Sequence, residues 1–431
     1  MANNTPKRLI VFAFLCGLGS SLFVSTPFGR APMFDLVSYV LGPILFVMSY
    51  RRYSRAERRL LMLAFLWFLG TCYSNWWREE PFEVALKGNA IVFNVFCMLT
   101  VGIALIRRSV HSFLWFSVGY GLGSVVSLYI FQNGAYLWFA EIAGYSGEGG
   151  LQDYLVEKQV YPLYAQALFL SVLFPLRTHK LIPWFLVAVG CAATTFLLLF
   201  YGGSRSGFGT YFFTTVVVLA YAYFRPAVSA FSKNSIILLA SGLLISFAAF
   251  KTYSYLAQEG SLGEAEYQKY VTEIEDSESG VLGSRDDLIR AWPFLKRHPF
   301  VGAGSSAIDR WGYIVDSKDF RIPGHSALVG AWTQNGAMGL IFWSYAIYMI
   351  INFIRKRMIG FGDWFPFLAF LMVSMVWNIF FSPFGVFRGI VSMTAALCAV
   401  TSSPAFFNEV CLRKRVSRGG MDARTQRGLS R

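Results

Sequence analysis

Long apolar blocks alternate with polar segments along most of the chain. Each block holds 17 to 24 residues with few or no charges, and about 20 apolar residues in a helix cross a hydrocarbon core of roughly 30 Å. The blocks cover residues 9–25, 33–49, 60–77, 90–106, 109–132, 160–176, 181–201, 208–224, 234–250, 337–354, 364–381 and 387–405. This pattern predicts an all-α membrane protein with about twelve transmembrane helices.

The polar segments between the blocks differ in length and in charge. Most are short, but residues 133–159 form an acidic loop, and residues 251–336 form a large polar loop in which we expect short helices. The first block has no clear small-x-small cleavage site, so we expect it to remain as the first helix. We therefore expect a single polytopic membrane domain over residues 1–407 and a basic tail over residues 408–431.

Lysine and arginine are concentrated in alternate polar segments. If both termini are cytoplasmic, the inside segments carry 23 of the 38 basic residues and only four of the 24 acidic ones. Cytoplasmic loops of membrane proteins carry an excess of basic residues. Because one miscounted helix would invert every later loop, the agreement across all inside segments favours twelve helices. Residues 133–159 and 251–336 then lie on the outer side.

The composition excludes a soluble enzyme. Hydrophobic residues make up 55% of the 431 residues and charged residues only 14%, whereas soluble domains contain about 25% charged residues. The formal net charge of +14 follows from the basic inside segments, where it favours contact with anionic lipid head groups. We therefore expect membrane lipids as partners and no binding of nucleic acid.

Two of the four histidines lie on the outer side in the predicted topology. His325 follows Pro323, where an amphipathic helix can begin and lead straight into the tenth membrane helix. His298 precedes Pro299, where a helix is expected to end. A histidine near its ordinary pKa can act as a general base, and one at a helix end can also simply cap the backbone. His325 is the stronger candidate, because it stands where the polar loop meets the membrane.

A Tyr-Gly-Gly-Ser-Arg-Ser-Gly turn places Arg205 between two long apolar blocks. A charged residue near membrane depth is a functional candidate by default. Arginine offers forked, permanently charged donors to phosphate oxygens, and the flanking glycines and serines leave room for a bulky anion. The alternative interpretation is an interfacial arginine whose side chain reaches back to water.

The outer loop contains a second arginine-bearing stretch, upstream of its two histidines. Leu288, Trp292 and Leu295 mark the apolar face of a predicted helix. Arg285 lies at the start of this helix, and Arg290 points elsewhere. A surface helix lying on the membrane explains most of these charges equally well. The loop has no HExxH, DxD, GxSxG or P-loop motif, so we expect no metal ion and no cofactor.

Three features occur in order along the chain: a Ser-Arg turn between two helices, a loop helix with an Arg-x6-Trp…His-Pro-x-x-Gly-x-Gly pattern, and a His-x10-Gly stretch that enters a helix. In this chain they are Ser204-Arg205, Arg285 with Trp292, His298-Pro299 with Gly302 and Gly304, and His325 with Gly336. Together with the topology, they resemble the superfamily of O-antigen ligases and Wzy-type O-antigen polymerases, which are membrane glycosyltransferases. Many members carry Asn where this chain has Ser326.

The resemblance implies a donor glycan on undecaprenyl pyrophosphate, in a bacterial inner membrane, and a sugar hydroxyl as acceptor. It implies that His325 is the catalytic base and that Arg205 and Arg285 bind the donor pyrophosphate. Arg290 and His298 are weaker candidates. The implied transfer inverts the anomeric carbon without a metal. The acceptor stays open: lipid A core for a ligase, or a growing glycan chain for a polymerase of O-antigen or exopolysaccharide.

A membrane transporter or flippase is the alternative from another class. Such a protein needs charged residues within its helices or broken-helix repeats. Asp35 and Arg388 are the only such charges that the apolar blocks offer, and both lie towards the outer ends. The transferase is therefore the preferred expectation, with the choice between ligase and polymerase left open.

Overall fold

The structure, a computed structural model, describes residues 5–26, 29–132, 233–262, 287–305, 326–358 and 384–403, with a few single positions elsewhere. Within these residues the chain is helical, apart from one two-stranded hairpin and the connecting turns. The helices are α1 Thr5–Ser21, α2 Met33–Ser49, α3 Arg55–Trp77, α4 Phe82–Arg108, α5 His111–Gln132, α6 Lys233–Gln258, α7 Asp287–Arg297, α8 Ala327–Asn335, α9 Ala337–Lys356 and α10 Phe384–Thr401. The strands are β1 Phe23–Thr26 and β2 Gly29–Pro32.

The predicted helical character is confirmed, and eight of the twelve apolar blocks overlap an observed helix. Among the described residues, three helices are long and apolar enough to cross a membrane, namely Met33–Arg52, Phe82–Arg108 and Ala337–Lys356. The structure describes only scattered positions of the blocks at 208–224 and 364–381. The blocks at 160–176 and 181–201, the loop at 133–159 and the tail at 408–431 lie outside the described residues.

The start of the chain departs from the prediction. The first apolar block predicts one continuous helix, but α1 ends at Ser21 and the antiparallel strands β1 and β2 follow, with Val24 opposite Ala31. The β-branched side chains of Val24 and Thr26 favour an extended backbone, and Pro27 cannot continue a helix. The hairpin therefore replaces the last turn of the predicted first helix.

Short turns join α2, α3 and α4, so α2 and α4 run parallel and α3 runs antiparallel to both. α2 and α4 approach closely at Gly42, where a Cβ atom would lie 2.6 Å from the Cα atom of Cys97. Near this crossing, the Tyr39 hydroxyl donates to the carbonyl oxygen of Ala90 at 2.6 Å. Small residues at such a crossing let two helix backbones pack in a membrane, where close packing drives association.

α9 packs on α3 in the opposite direction. The Trp67 ring stacks on Phe342, with 4.9 Å between the ring centroids. Further along α3, the site of a Cβ atom on Gly70 lies 3.0 Å from Cβ of Met338, at the start of α9. α9 therefore runs parallel to α2 and α4.

A buried ion pair joins the N-terminal parts of α2 and α10. Asp35 Oδ2 lies 2.5 Å from Arg388 Nη2, and the two residues are 2% and 9% exposed. Asn94 of α4 donates to the Asp35 carbonyl at 3.3 Å, and further along α4 Gly102 lies against Met393 of α10. α10 thus runs parallel to α4, and α2, α4, α9 and α10 all begin at one end of the bundle.

Basic side chains collect at the other end of the bundle, which we call the arginine-rich end. It contains Arg51, Arg52, Arg55, Arg58, Arg59, Arg107, Arg108, Arg355 and Lys356. The buried Glu57 lies among them, 1% exposed, with 3.3 Å between its Oε1 atom and Arg107 Nε. Its carboxylate also accepts a hydrogen bond from the N–H of Ser54, so one acidic residue caps α3 and links it to α4.

We expect Gly42→Ala to destabilise the protein by about 1–3 kcal/mol, because a methyl group at the α2–α4 crossing must push two backbones apart. Gly70→Ala is the matched control, since its new methyl group would lie 3.0 Å from Met338 Cβ and 3.4 Å from a carbonyl oxygen, contacts that a shift of a few tenths of an ångström relieves. Thermal unfolding of the detergent-purified protein measures both. Equal midpoints for the two variants would contradict the close packing of α2 on α4.

Candidate functional site

Three of the five candidate residues, Arg205, Arg285 and His325, lie outside the described residues. Arg290 lies within α7, and His298 follows the last residue of that helix. The structure describes the chain from α7 through the two glycines that follow His298, and again over residues 326–358. It therefore shows how parts of the second and third sequence features lie relative to each other.

α7 packs on α8 through a face that differs from the predicted one. Ala291, Phe294 and Leu295 are buried in a cluster with Val329, whereas Trp292 is 53% exposed. The predicted helix is confirmed, and of its apolar face Leu295 is buried whereas Trp292 stays exposed. The reason is that α8 covers the side of α7 that carries Ala291, Phe294 and Leu295.

α8 is held at both ends by the residues that flank it. Ser326, which follows His325 in the sequence, is 2% exposed and caps the helix: its hydroxyl accepts the N–H of Val329 at 3.2 Å and donates to the carbonyl of Ile379 at 3.3 Å. Gly336 ends α8 with a φ of +76°. The predicted helix is confirmed and leads into the membrane helix, with the single residue Gly336 between α8 and α9.

Residues 299–305, which we call the docked segment, lie along the last turn of α8. The N–H of Ala303 donates to the carbonyl of Thr333 at 2.7 Å, and the N–H of Gly304 donates to the carbonyl of Gln334 at 3.1 Å. The second and third sequence features are therefore in direct contact, and the contact is made by the main chain.

Contact this close requires glycine at two positions. A Cβ atom on Gly302 would lie 1.9 Å from the carbonyl oxygen of Gln334, and one on Gly336 would lie 2.1 Å from that of Phe300. Gly336 also has a positive φ, which residues with a side chain adopt rarely. Both glycines belong to the patterns found in the sequence, so these patterns have a structural reason in this chain.

The other side of the docked segment contacts the end of α3. The N–H of Gly302 donates to Ser74 Oγ at 3.2 Å, and Arg78 Nε donates to the carbonyl of Gly302 at 3.0 Å. Asn75 Oδ1 accepts the N–H of Ser305 at 2.8 Å. The docked segment is thus held between α8 and α3, at the end of the bundle opposite the arginine-rich end.

Arg78 and His298 both contact the ring of Phe294. The Arg78 Cζ atom lies 6.0 Å from the ring centroid, and the imidazole centroid lies 5.2 Å from it. Partial burial, followed by the charges of Arg78 and Arg297, lowers the pKa of His298 below its ordinary value. Arg78 Nη2 is buried and makes no hydrogen bond to the part of the chain that the structure describes.

Arg78 and its neighbours at the end of α3 were not among the site residues predicted from the sequence. Arg78 lies in a Trp-Trp-Arg-Glu-Glu stretch that directly follows an apolar block. The available signal is its position, because the predicted topology places this arginine in an outer turn, where basic residues are scarce. The acceptor of its hydrogen bond, the main-chain carbonyl of Gly302, gives no signal in the sequence, because every residue has such a carbonyl.

Within the described residues, no three histidine, cysteine, aspartate or glutamate side chains are placed to hold a metal ion. No family model matches the sequence of this chain, and no curated protein sequence matches it. The residues and contacts of the docked segment and its neighbours are therefore the basis for the proposed function.

We expect Gly302→Ala and Gly336→Ala each to destabilise the docked segment by at least about 1–3 kcal/mol, because the new methyl group meets main-chain atoms that cannot move away. Gly330→Ala in α8 is the matched control, because a Cβ atom there has nothing within 4 Å. Hydrogen exchange should become faster in residues 299–305 of the two variants and stay slow in α4. Unchanged exchange in both variants would contradict the docking.

Proposed function

We propose that this chain transfers a glycan from undecaprenyl pyrophosphate to a sugar hydroxyl, as its resemblance to O-antigen ligases implies. The observation that carries the proposal is the docking of residues 299–305 onto α8. Parts of two features that are separate in the sequence share one interface, and Gly302 and Gly336 make its closest contacts. This supports the view that the sequence pattern describes one built site.

The directions of the helices support a twelve-helix topology. α2, α4 and α9 end in basic residues, which the positive-inside rule assigns to the cytoplasm. α5 follows α4 after a short turn and runs opposite to α4 and α9. It therefore ends on the side of the membrane where α9 begins, so the chain between α5 and α9 must cross the membrane an even number of times. The sequence predicts four. The docked segment then faces the periplasm of a bacterial inner membrane, with both termini cytoplasmic.

The candidate residues divide between the two halves of the reaction. The acceptor oxygen attacks the anomeric carbon as its proton passes to His325, acting as general base. The bond from the anomeric carbon to the pyrophosphate oxygen breaks, and undecaprenyl pyrophosphate leaves with the electron pair. Arg205 and Arg285 stabilise this departing charge through forked hydrogen bonds. Arg290 and His298 are weaker candidates for the same site.

A Wzy-type polymerase is the alternative within the same chemistry, because it uses the same donor and differs in taking another lipid-linked glycan as acceptor. A transporter or flippase is favoured by one observation, the buried ion pair between Asp35 and Arg388. These two charges neutralise each other and hold α2 against α10. A structural role therefore accounts for them, and the transferase remains the proposal.

Reporter insertions test the topology. Alkaline phosphatase, which is active only in the periplasm, is expected to be active when inserted at Gly260 and inactive when fused after Arg431. Gly260 suits an insertion, because it lies in a turn with a φ of +70° and a Cβ atom there would have nothing within 4 Å. Phosphatase activity at Arg431 in the intact chain would overturn the assignment of sides and the location of the proposed site.

His325→Ala is expected to lose most of its turnover while keeping its thermal stability and donor binding, because general-base assistance is typically worth about 10²- to 10⁴-fold in rate. The assay uses purified protein in lipid, an undecaprenyl-pyrophosphate-linked glycan and a candidate acceptor. His111→Ala is the matched control. His111 is exposed at the start of α5, beside the arginine-rich end, so this variant should turn over normally.

Two outcomes of this assay would change the assignment. If His325→Ala turns over within about threefold of the wild type, which is less than about 1 kcal/mol of barrier, it is not the base. If the variant loses donor binding but keeps residual chemistry, His325 belongs to the pyrophosphate site together with Arg205.

A further inference from the structure

The turn between α3 and α4 borders a cleft of about 630 Å³, next to the docked segment. The cleft is open on one side and combines aromatic rings, carboxylates and side-chain amides. Its lining includes Asn75, Trp76, Trp77, Glu79, Glu80 and Asn89. None of these residues belongs to the sequence patterns that support the proposed transfer.

The floor of the cleft is rigid and is tied to the docked segment. Asn75 is 2% exposed, and its Nδ2 atom donates to Asn89 Oδ1 at 2.8 Å. Its Oδ1 atom accepts the N–H of Ser305 at 2.8 Å. Glu80 also reaches this segment, since a Cβ atom on Gly304 would lie 2.1 Å from Glu80 Oε1. A molecule bound in the cleft would therefore lie beside the docked segment.

The aromatic wall of the cleft is exposed. Trp76 and Trp77 are 72% and 56% exposed, and they form a cluster with Tyr73 in which the ring centroids are 5.9 to 6.5 Å apart. Exposed tryptophans at this position can simply anchor a membrane protein at the lipid head groups. The adjacent carboxylates of Glu79 and Glu80 argue against a lipid-facing wall, because charged groups are costly in lipid.

The charges of the α3–α4 turn are divided between two sides. Arg78 contacts Gly302 and the ring of Phe294, whereas Glu79 and Glu80 line the cleft. The carboxylates disfavour phosphate in the cleft and are strong acceptors for hydroxyl groups. Tryptophan faces suit the apolar C–H faces of sugar rings, and a few placed polar groups in such a cleft fix the orientation of a ligand.

We propose that this cleft binds uncharged sugar units of the acceptor glycan, next to the docked segment. The proposal names a substrate subsite for the transfer proposed above and rests on that function. The tryptophans stack on the sugar rings. The carboxylates of Glu79 and Glu80 accept hydrogen bonds from the sugar hydroxyls, and the side-chain NH2 of Asn89 donates to a sugar oxygen. The pyrophosphate of the donor lies outside the cleft, on the side of the turn where Arg78 lies.

Saturation-transfer NMR tests the cleft without any need for turnover. The probe is the oligosaccharide mixture released by mild acid from the envelope glycolipids of the producing bacterium, added to the full-length protein in lipid nanodiscs. The wild type should transfer saturation to sugar ring protons, and Trp77→Ala and Glu79→Gln should weaken binding about tenfold or more. Both side chains lie at the surface of the cleft, so these changes leave no internal cavity.

Matched controls separate this role from a general effect on the surface. Tyr255→Ala removes a side chain that is 58% exposed on α6 and lies outside the cleft. Glu83→Gln removes an exposed carboxylate of the first turn of α4, which does not line the cleft. Both control variants should bind like the wild type. Equal binding by Trp77→Ala, or no binding by the wild type, would leave the aromatic cluster as a membrane anchor only and overturn the proposal.

The transfer assay distinguishes failure of the cleft from failure of the proposed function. Trp77→Ala should raise the KM for the acceptor and leave kcat nearly unchanged, whereas His325→Ala should lower kcat. Transfer by Trp77→Ala with an unchanged acceptor KM would overturn the cleft and leave the transferase standing. If the wild type binds sugar through Trp77 but transfers no glycan, the proposed cleft is supported and the proposed transferase function is overturned.

Discussion

Three main-chain hydrogen bonds hold residues 299–305 against α8 and the first residue of α9. They run from Ala303 to Thr333, from Gly304 to Gln334 and from Ala337 to Phe300. At Gly302 and Gly336 a Cβ atom would lie within about 2 Å of a main-chain carbonyl oxygen, which is why glycine is required at these two positions. The contact fixes the end of α3, the start of α9 and the cleft beside them as one unit. Every part of the candidate site that the structure describes depends on this contact.

Several polar groups inside the bundle are paired with nearby groups, as an apolar surrounding favours. Asp35 pairs with Arg388, and the carboxylate of Glu57 serves both a helix cap and Arg107. The hydroxyl of Thr100 donates to the carbonyl one turn earlier in its own helix, and other buried threonines do the same. These polar side chains therefore stabilise packing within the described part of the bundle.

The helices were predictable because a membrane helix needs a long apolar block, which the sequence displays directly. Their ends were less predictable. α4 begins at Phe82, about two turns before its apolar block, because Glu83 and Lys87 interrupt the apolar signal there. The glycines of the site were visible as a pattern, but their contact was not. Gly302 lies against the main-chain carbonyl of Gln334. Every residue has such a carbonyl, so this contact cannot be predicted from the sequence. The exposure of Trp292 depends on how α8 covers α7, which helical spacing alone does not determine.

The common direction of α2, α4, α9 and α10 has an electrostatic consequence. Each helix carries a macrodipole that is positive at its N-terminus and negative at its C-terminus. At the arginine-rich end, Arg107, Arg108, Arg355 and Lys356 occupy the last turns of α4 and α9 and so complement the negative poles. At the other end, the positive poles of four parallel helices lie together, and Asp35 and Glu83 occupy first turns of two of them. The backbone thus makes that end attractive to negative charge.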